Sequence, residues 1–227
     1  MNKTKIDWCD STVNPVVGCK GNCRYCYAEM LNRRWKFVKN WHCPEYKPER
    51  LKKLKSKKPK SVFIDSMSDI GWWKQSWLNE VVQAMRDNQQ HNYIALTKTN
   101  MVQLRKNILT ALNTTSGGCP NLWIGSSITT QAQADIFRRV GGSCSFLSVE
   151  PILEPMCLTP ILHTLVSDAI IIGAETGNST AKVVPQKEWI EDIVIQADAA
   201  GLKVFMKESL REIMGEQFRQ DKLPWEV

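Results

Sequence analysis

The stretch Gly18-Cys19-Lys20-Gly21-Asn22-Cys23-Arg24-Tyr25-Cys26-Tyr27 decides how the fold and the chemistry of this chain are interpreted. It spaces three cysteines as C-x3-C-x2-C and places an aromatic residue directly before the third. Three thiolates on one short loop can hold three irons of a [4Fe-4S] cluster and leave the fourth iron without a protein ligand. The spacing therefore predicts a cluster with one iron open to a small molecule.

An open iron of this kind is what radical S-adenosylmethionine (SAM) chemistry needs. The iron chelates the amino and carboxylate groups of SAM, and an electron then splits the sulfonium bond to give a 5′-deoxyadenosyl radical. We expect Cys19, Cys23 and Cys26 to be the metal ligands and the catalytic residues. Tyr25 is expected beside the adenine, and an ordinary core aromatic is the alternative.

A zinc site is the main alternative for the same cysteines. Structural zinc normally has four ligands, and Cys9, His42 or Cys43 could supply the fourth. The chain would then be a non-enzymatic zinc module that binds nucleic acid. Iron, sulfide and visible absorption after anaerobic purification distinguish the two interpretations.

Length and composition favour one enzyme-sized domain over residues 1–227. No apolar run is long enough to span a bilayer, and the N-terminal residues do not resemble a secretion signal. The chain has eight cysteines but is much longer than a secreted disulfide scaffold. We therefore expect a reducing cytoplasm, bacterial or that of a phage-infected host, and no contact with a membrane.

Positive charge is concentrated in the first part of the chain. The net charge is +7, and residues 1–60 contain 16 Lys and Arg against 5 Asp and Glu. The excess peaks in Leu51–Lys60, which can follow a phosphate backbone or can simply be a solvated surface. Because Pro44, Pro48 and Pro59 interrupt this region, an irregular loop within the domain is expected.

Hydrophobic periodicity predicts alternating strands and helices. The predicted strands are residues 12–16, 61–66, 92–97, 121–126, 145–150, 169–173 and 202–206. The predicted helices are residues 27–38, 77–88, 99–111, 129–140, 186–199 and 208–214, with one short helix after Glu150. This alternation indicates an α/β fold, a partial (β/α) TIM-like barrel of about six or seven parallel strands of the radical SAM type.

Polar residues follow nearly every predicted strand. The active site of such barrels lies at the carboxyl ends of the strands, so these residues are expected to bind SAM and a polar substrate. The expected cofactor-binding residues are Tyr25, Ser66, Ser68, Asp69, Thr97, Lys98, Ser126, Glu150 and Glu175. Simple helix capping, for example by Thr99 or Asn100, and rim ion pairs of Lys98 or Lys207 are the alternatives.

The remaining cysteines are sorted by the same topology. Cys119, Cys144 and Cys43 fall on the face away from the expected site and are interpreted as packing or incidental thiols. Cys157 follows the fifth predicted strand on the active face. A buried, small apolar role is favoured for it over hydrogen-atom donation to a substrate radical.

The whole chain resembles a phage-associated family of radical-SAM-like proteins, long catalogued as a domain of unknown function. The matching stretches are Ile6–Trp8, Asn14–Cys19, Cys23–Glu29, Ser66–Asp69, Leu96–Lys98, Trp123–Ser126, Phe146–Pro151 and Ile172–Gly177. The resemblance implies a partial barrel, a [4Fe-4S] cluster and SAM. Members usually have a Gly-Gly-Glu-Ser-Gly-like block where this chain has Gly173-Ala-Glu-Thr-Gly177, and Glu175 is kept.

Three functions remain open at the level of sequence. The first is modification or isomerisation of a nucleic acid base, as in phage DNA hypermodification or RNA modification, in which Trp72, Trp73 and Trp77 stack on a base. Lid or core packing is their alternative role. The second function is radical SAM chemistry on a small metabolite or peptide, and the third is the zinc module. Either enzyme would need a flavodoxin- or ferredoxin-type electron donor.

Overall fold

The computed structural model describes residues 2–114, 119–176 and 181–227. They form two compact units, residues 1–124 with 225–227 and residues 125–224. None of the helices within the described ranges is long and apolar enough to cross a membrane.

The first unit begins with three short strands, β1 (Asn2–Lys3), β2 (Ser11–Thr12) and β3 (Val16–Val17). They are followed by α1 (Tyr27–Trp35), β4 (Glu45–Tyr46), a 3₁₀ helix (Pro48–Lys55), β5 (Ser61–Phe63) and a 3₁₀ turn (Ile70–Trp72). The unit continues with α2 (Gln75–Arg86), β6 (Asn92–Thr97), α3 (Met101–Ala111) and the start of β7 (Leu122–Ser127).

Parallel pairing dominates the sheet of this unit. Its hydrogen-bonded order is β1, β2, β5, β6 and β7, in which β2 pairs in parallel with β5, and β5 with β6. Strand β1 is antiparallel to β2, and β3 forms a separate antiparallel pair with β4. Helix α2 buries Leu78, Val81, Val82 and Met85, the spacing of a helix with one apolar face.

The second unit contains the end of β7 and continues through α4 (Gln131–Arg139), β8 (Phe146–Val149), α5 (Thr159–Leu162) and β9 (Ala169–Ile172). It ends with α6 (Lys187–Ala199), β10 (Lys203–Met206), a 3₁₀ turn (Glu208–Leu210), α7 (Arg211–Met214) and a last 3₁₀ turn (Gly215–Gln217). Strands β7 to β10 pair in parallel in chain order. All residues of β8 and β9 are buried, as expected of a sheet covered on both faces.

The predicted α/β class with parallel strands is confirmed, and so is the short helix after Glu150. Several of the predicted boundaries differ from those in the structure, and two of these differences have clear local reasons. The strand predicted at 12–16 is divided into β2 and β3, because Pro15 has no N–H to donate to a neighbouring strand. The helix predicted at 27–38 ends at Trp35, because Lys36 adopts the left-handed conformation with φ 52° and ψ 47°.

The expectation of an irregular loop at the basic segment holds for residues 56–60 but was wrong for the part before them. Residues Pro48–Lys55 form a 3₁₀ helix, with proline in its first turn and Leu54 buried beneath it. Proline fits the first helical turn because the N–H that it lacks would have no partner within the helix. Lys52, Lys53 and Lys55 therefore project from an ordered helix, whereas Lys57, Lys58 and Lys60 follow it in irregular backbone.

Candidate functional site

The loop that carries the three cysteines lies between β3 and α1 and is held at its start by two backbone hydrogen bonds. Gly18 N–H donates to the Met67 carbonyl (3.0 Å) and Cys19 N–H to the Trp41 carbonyl (2.9 Å). Gly18 has φ +102°, and a Cβ there would stand 2.7 Å from the Trp41 oxygen. Only glycine fits this position, so Gly18 sets the backbone position from which the Cys19 side chain projects.

The sulfur atoms of the loop accept hydrogen bonds from backbone amides. Gly21 N–H donates to Cys19 Sγ (3.3 Å), and Glu29 N–H donates to Cys26 Sγ (3.4 Å). Cys26 is thereby the N-cap of α1. A side chain at Gly21 would place its Cβ 3.3 Å from Cys19 Sγ and 4.0 Å from Cys23 Sγ, so both sulfurs border the same small space.

Burial, and to a smaller extent nearby negative charge, disfavours the charged form of the Cys19 and Cys26 thiols. Desolvation raises the pKa of Cys19 to about 12, and the nearby Asp69, Cys26 and Cys23 add to the rise. Desolvation also raises the pKa of Cys26, opposed by the Glu29 amide. Thiolates in such a place need a positive partner, and cationic iron bound by sulfur provides one.

Thiols with backbone amide donors, as at Cys19 and Cys26, are the chemical type of ligand that iron–sulfur clusters use. Amide N–H groups directed at cluster sulfurs are among the interactions that tune such centres. Within the described ranges, no three Cys, His, Asp or Glu side chains converge closely enough to hold one metal ion.

The three proposed fourth ligands of a zinc site have different surroundings. A ring nitrogen of His42 lies 3.2 Å from the Cys19 carbonyl oxygen, which places this imidazole beside the cysteine loop. Cys43 is exposed. Desolvation raises the pKa of Cys9 to about 12, and its neighbours are the backbone amides of Phe63 and Ser11.

The loop after β5 is bonded to Asn14, which lies between β2 and β3 and was not among the predicted site residues. Its amide donates to Ser66 Oγ (2.9 Å), and its oxygen accepts from Ser66 Oγ (3.0 Å) and Met67 N–H (3.0 Å). The Tyr27 hydroxyl donates to the Ser66 carbonyl (2.7 Å). The sequence shows Asn14 as an Asn-Pro pair shortly before Gly-Cys. Its hydrogen-bond partner Ser66 could not be predicted, because it is more than fifty positions away in the chain.

Asp69 connects the same loop to the end of β6. Its Oδ1 accepts from the Thr97 hydroxyl (2.7 Å) and Gly71 N–H (2.9 Å), and its Oδ2 accepts from Lys98 N–H (2.9 Å). Asp69 and Thr97 are buried. Desolvation raises the pKa of Asp69 against the effect of these donors. Two of the expected SAM contacts, Asp69 and Thr97, therefore bond to each other and brace the loop.

Asp65 is a second buried carboxyl in this loop. It accepts hydrogen bonds from the backbone amides of Ile70 (3.1 Å) and Leu96 (3.1 Å). Desolvation, and then the charge of Asp69, raise its pKa well above the ordinary value. Asp65 was not among the predicted site residues.

The other predicted residues of this unit lie around the same loop. The Lys98 ammonium stands 5.5 Å from the centre of the Tyr25 ring, a cation–π arrangement. Ser68 Oγ accepts a hydrogen bond from Trp73 Nε1 (3.0 Å). Ser66 is half-buried and held by Asn14.

The three tryptophans predicted to stack on a base differ in their exposure and contacts. Trp72 is 42 % exposed, and the Lys20 ammonium lies 5.9 Å from the centre of its ring. Trp73 is buried, and Trp77 stacks on Tyr46 at 5.7 Å. Trp72 is thus the member of the three whose ring is most available to a ligand, next to the cysteine loop.

The predicted residues of the second unit form a separate group. Glu150 makes an ion pair with Lys207, the alternative role considered for that lysine. Ser126 and Glu175 are buried, and Glu175 accepts a hydrogen bond from Val183 N–H (3.2 Å). Gly177 and Asn178, which belong to the predicted polar strand end, lie outside the described residues.

A cleft of about 560 Å³ adjoins Glu175 in the same unit, with Lys182, Ser209 and Arg211 among its lining residues.

The remaining cysteines are partly as predicted. Cys119 and Cys144 are buried, and their thiols donate to Asn121 Oδ1 (2.9 Å) and to the Phe146 carbonyl (3.0 Å). The expectation that Cys157 is buried was wrong. Cys157 is exposed, whereas its neighbours Met156 and Leu158 are buried and take the core positions of this segment.

Comparisons with known proteins give a family but no activity. The family model described as "Protein of unknown function (DUF5131)" matches residues 3–220. No curated protein matches the chain, and no solved structure matches it.

Proposed function

We propose that this chain, which belongs to the DUF5131 family, is a radical SAM enzyme whose Cys19, Cys23 and Cys26 hold a [4Fe-4S] cluster. When bound, the cluster and SAM supply a 5′-deoxyadenosyl radical, after one electron from a flavodoxin- or ferredoxin-type donor breaks the C5′–S bond and releases methionine. The radical SAM type of fold is part of the same proposal. An oxygen-sensitive cluster also requires a reducing compartment, such as the cytoplasm.

The cysteine loop is the observation that carries this proposal. Three partly buried thiols lie on one loop, and two of the sulfurs accept N–H groups, one from Gly21 of the loop and one from Glu29 in the first turn of α1. Desolvated sulfur ligands with amide donors are the environment in which proteins hold and tune iron–sulfur clusters.

The chain's own side chains have distinct tasks in this scheme. Asn14 and Asp69 hold the loop after β5 in place through hydrogen bonds to its backbone and side chains. Tyr25 offers a ring face to the adenine, and Lys98 beside it offers a cation to the carboxylate of SAM. Side chains held in fixed positions around the cluster orient the reacting atoms and keep out water, which limits unproductive reactions of the radical.

A nucleic acid base is the proposed substrate. Phosphate affinity is supported by the ordered basic helix, on which Lys52, Lys53 and Lys55 are exposed. Base affinity is supported by the exposed ring of Trp72 with Lys20 above it. A base in a duplex would have to be flipped out to reach a radical generated at the loop.

Anaerobic reconstitution tests the catalytic proposal. We expect iron, sulfide and reductant-dependent 5′-deoxyadenosine from the wild type, and none of the three from Cys19→Ala, Cys23→Ala or Cys26→Ala. Cys157→Ala is the matched control, since it removes an exposed thiol elsewhere, and it should retain the cluster. If the variant that lacks all three loop cysteines still releases 5′-deoxyadenosine, the proposal fails.

Stoichiometric zinc in place of iron would favour the nucleic-acid-binding zinc module, in which His42 is the ligand best placed beside Cys19. Mass spectrometry of nucleosides after turnover distinguishes a base-modifying enzyme from one that acts on a small metabolite or peptide.

A further inference from the structure

Two large aromatic side chains face solvent at the C-terminal end of α1, one on its last residue and one just after its cap. Trp35 is 59 % exposed and Phe37 is 43 % exposed. Tyr27 and Leu31 precede Trp35 at intervals of four residues and are also exposed, so they lie on the same side of the helix. A cluster of exposed large hydrophobic residues on one surface typically marks a binding site.

The turn that carries these aromatics is rigidly held. Lys36 adopts the left-handed conformation, and its N–H donates to the Asn32 carbonyl (2.8 Å). The buried side chain of Asn32 forms hydrogen bonds with both backbone groups of Val38. It donates to the carbonyl (3.2 Å) and accepts from the N–H (2.9 Å). We name residues Arg34–Phe37 the aromatic turn. Because its backbone is fixed before a ligand arrives, binding costs little ordering entropy.

Positive charge surrounds the aromatic turn. The Arg34 guanidinium lies 4.9 Å from the centre of the Trp35 ring, and Lys36 and Lys39 are exposed close by in sequence. Arg33 is also exposed and forms an ion pair with Glu29. Residues 30–44 contain no Asp or Glu. Aromatic rings that alternate with cations are the combination that binds single-stranded nucleic acid, in which base faces are accessible and phosphates are close.

We propose that the aromatic turn is a binding platform for single-stranded nucleic acid. Trp35 and Phe37 stack on unpaired bases, and the neighbouring cations bind the phosphates. The choice of ligand rests on the proposed function, whose substrate is a nucleic acid base. A second copy of the chain is a poorer occupant, because pairing would bring two strongly positive stretches together.

Fluorescence anisotropy with the cluster-free full chain tests this platform. The probe is a fluorescein-labelled oligothymidylate of about 16 nucleotides. Trp35→Ala and Phe37→Ala should each weaken binding about 5- to 150-fold, the range found for loss of one stacked base. Trp35→Phe should retain most of the affinity. Ile136→Ala is the matched control, since it removes another exposed hydrophobic side chain on α4 and should bind as the wild type does.

Salt dependence separates stacking from charge. The Trp35→Ala/Phe37→Ala double variant should keep the wild-type slope of log affinity against log salt, since no cation is removed. Lys36→Gln and Lys39→Gln should each lower that slope by about 0.7. A folded double variant, with a wild-type circular dichroism spectrum, that binds the oligonucleotide as tightly as the wild type would overturn the proposal. Equal wild-type affinity for a duplex of the same length would also overturn it, because a duplex hides its base faces.

The platform and the catalytic proposal can fail independently. SAM cleavage without substrate needs no nucleic acid, so the Trp35 variants should still release 5′-deoxyadenosine after reconstitution. If the wild type binds the oligonucleotide but assembles no cluster, and Trp35→Ala and Phe37→Ala lose that binding, the platform is supported and the enzyme proposal is rejected.

Discussion

The two buried carboxyl groups of the loop after β5 are predicted to respond very differently to the same substitution. Asp69→Asn keeps the shape of the side chain but offers one carbonyl oxygen to three donors, the Thr97 hydroxyl and the amides of Gly71 and Lys98. At least one buried donor then faces an NH₂ group. The lost hydrogen bond to a charged acceptor and the unsatisfied donor together should cost about 2–4 kcal/mol of unfolding free energy.

Asp65→Asn should cost less, by at least about 1 kcal/mol. The amides of Ile70 and Leu96 both lie within hydrogen-bond distance of Asp65 Oδ2 (3.1 Å and 3.3 Å), so an asparagine carbonyl oxygen at that position can accept from both. Its replacement also removes a charge that is desolvated and repelled by Asp69.

The pH dependence of the Asp69→Asn penalty follows from the direction of the pKa shifts. Both carboxyls have native pKa values above 3.8, so the folded chain takes up protons before the unfolded chain does. Their contribution to stability therefore rises as the pH falls from above the native values toward 3.8. Asp69→Asn removes one such group and weakens the shift of Asp65, so its penalty should grow on acidification.

Urea unfolding of the cluster-free protein, followed by circular dichroism at about pH 8 and about pH 4.5, measures these differences. A penalty for Asp69→Asn below about 1 kcal/mol, a larger penalty for Asp65→Asn, or a penalty that shrinks at the lower pH would refute the reasoning.

Two further predictions concern backbone geometry. Lys36→Gly should raise the unfolding free energy by about 0.5–1 kcal/mol in thermal or urea unfolding, because glycine tolerates the left-handed conformation at φ 52°; a destabilised variant would contradict this. Gly71→Ala would bring a methyl group within 1.8 Å of Thr99 Oγ1 and should cost about 1–3 kcal/mol. An unchanged urea midpoint for Gly71→Ala would show that the turn moves freely.

Much of the fold could be predicted from sequence because its signals are local. Strand β6 was predicted with its observed bounds, since residues 92–97 are a single apolar run between turn residues. The end of α1 could not be predicted, because the left-handed conformation of Lys36 depends on the bonds of Asn32 to Val38. The helix at Pro48–Lys55 depends on burial of Leu54, which the surrounding lysines conceal in the sequence.

The site was less predictable because its contacts join distant parts of the chain. The cysteine loop can be recognised from its spacing alone. The role of Asp69 cannot, because it depends on Thr97 and Lys98 at the end of β6, far along the chain. The same holds for the tryptophans. Trp72 and Trp73 are adjacent in sequence, yet tertiary packing exposes the first and buries the second.

Electron paramagnetic resonance of the anaerobically reconstituted and reduced protein, with and without SAM, tests the central claim most directly. We predict about four irons per chain and a [4Fe-4S] signal that changes when SAM is added, because SAM coordinates the iron that has no cysteine ligand. A tightly bound Zn²⁺ with four protein ligands, or a cluster signal that SAM leaves unchanged, would contradict it.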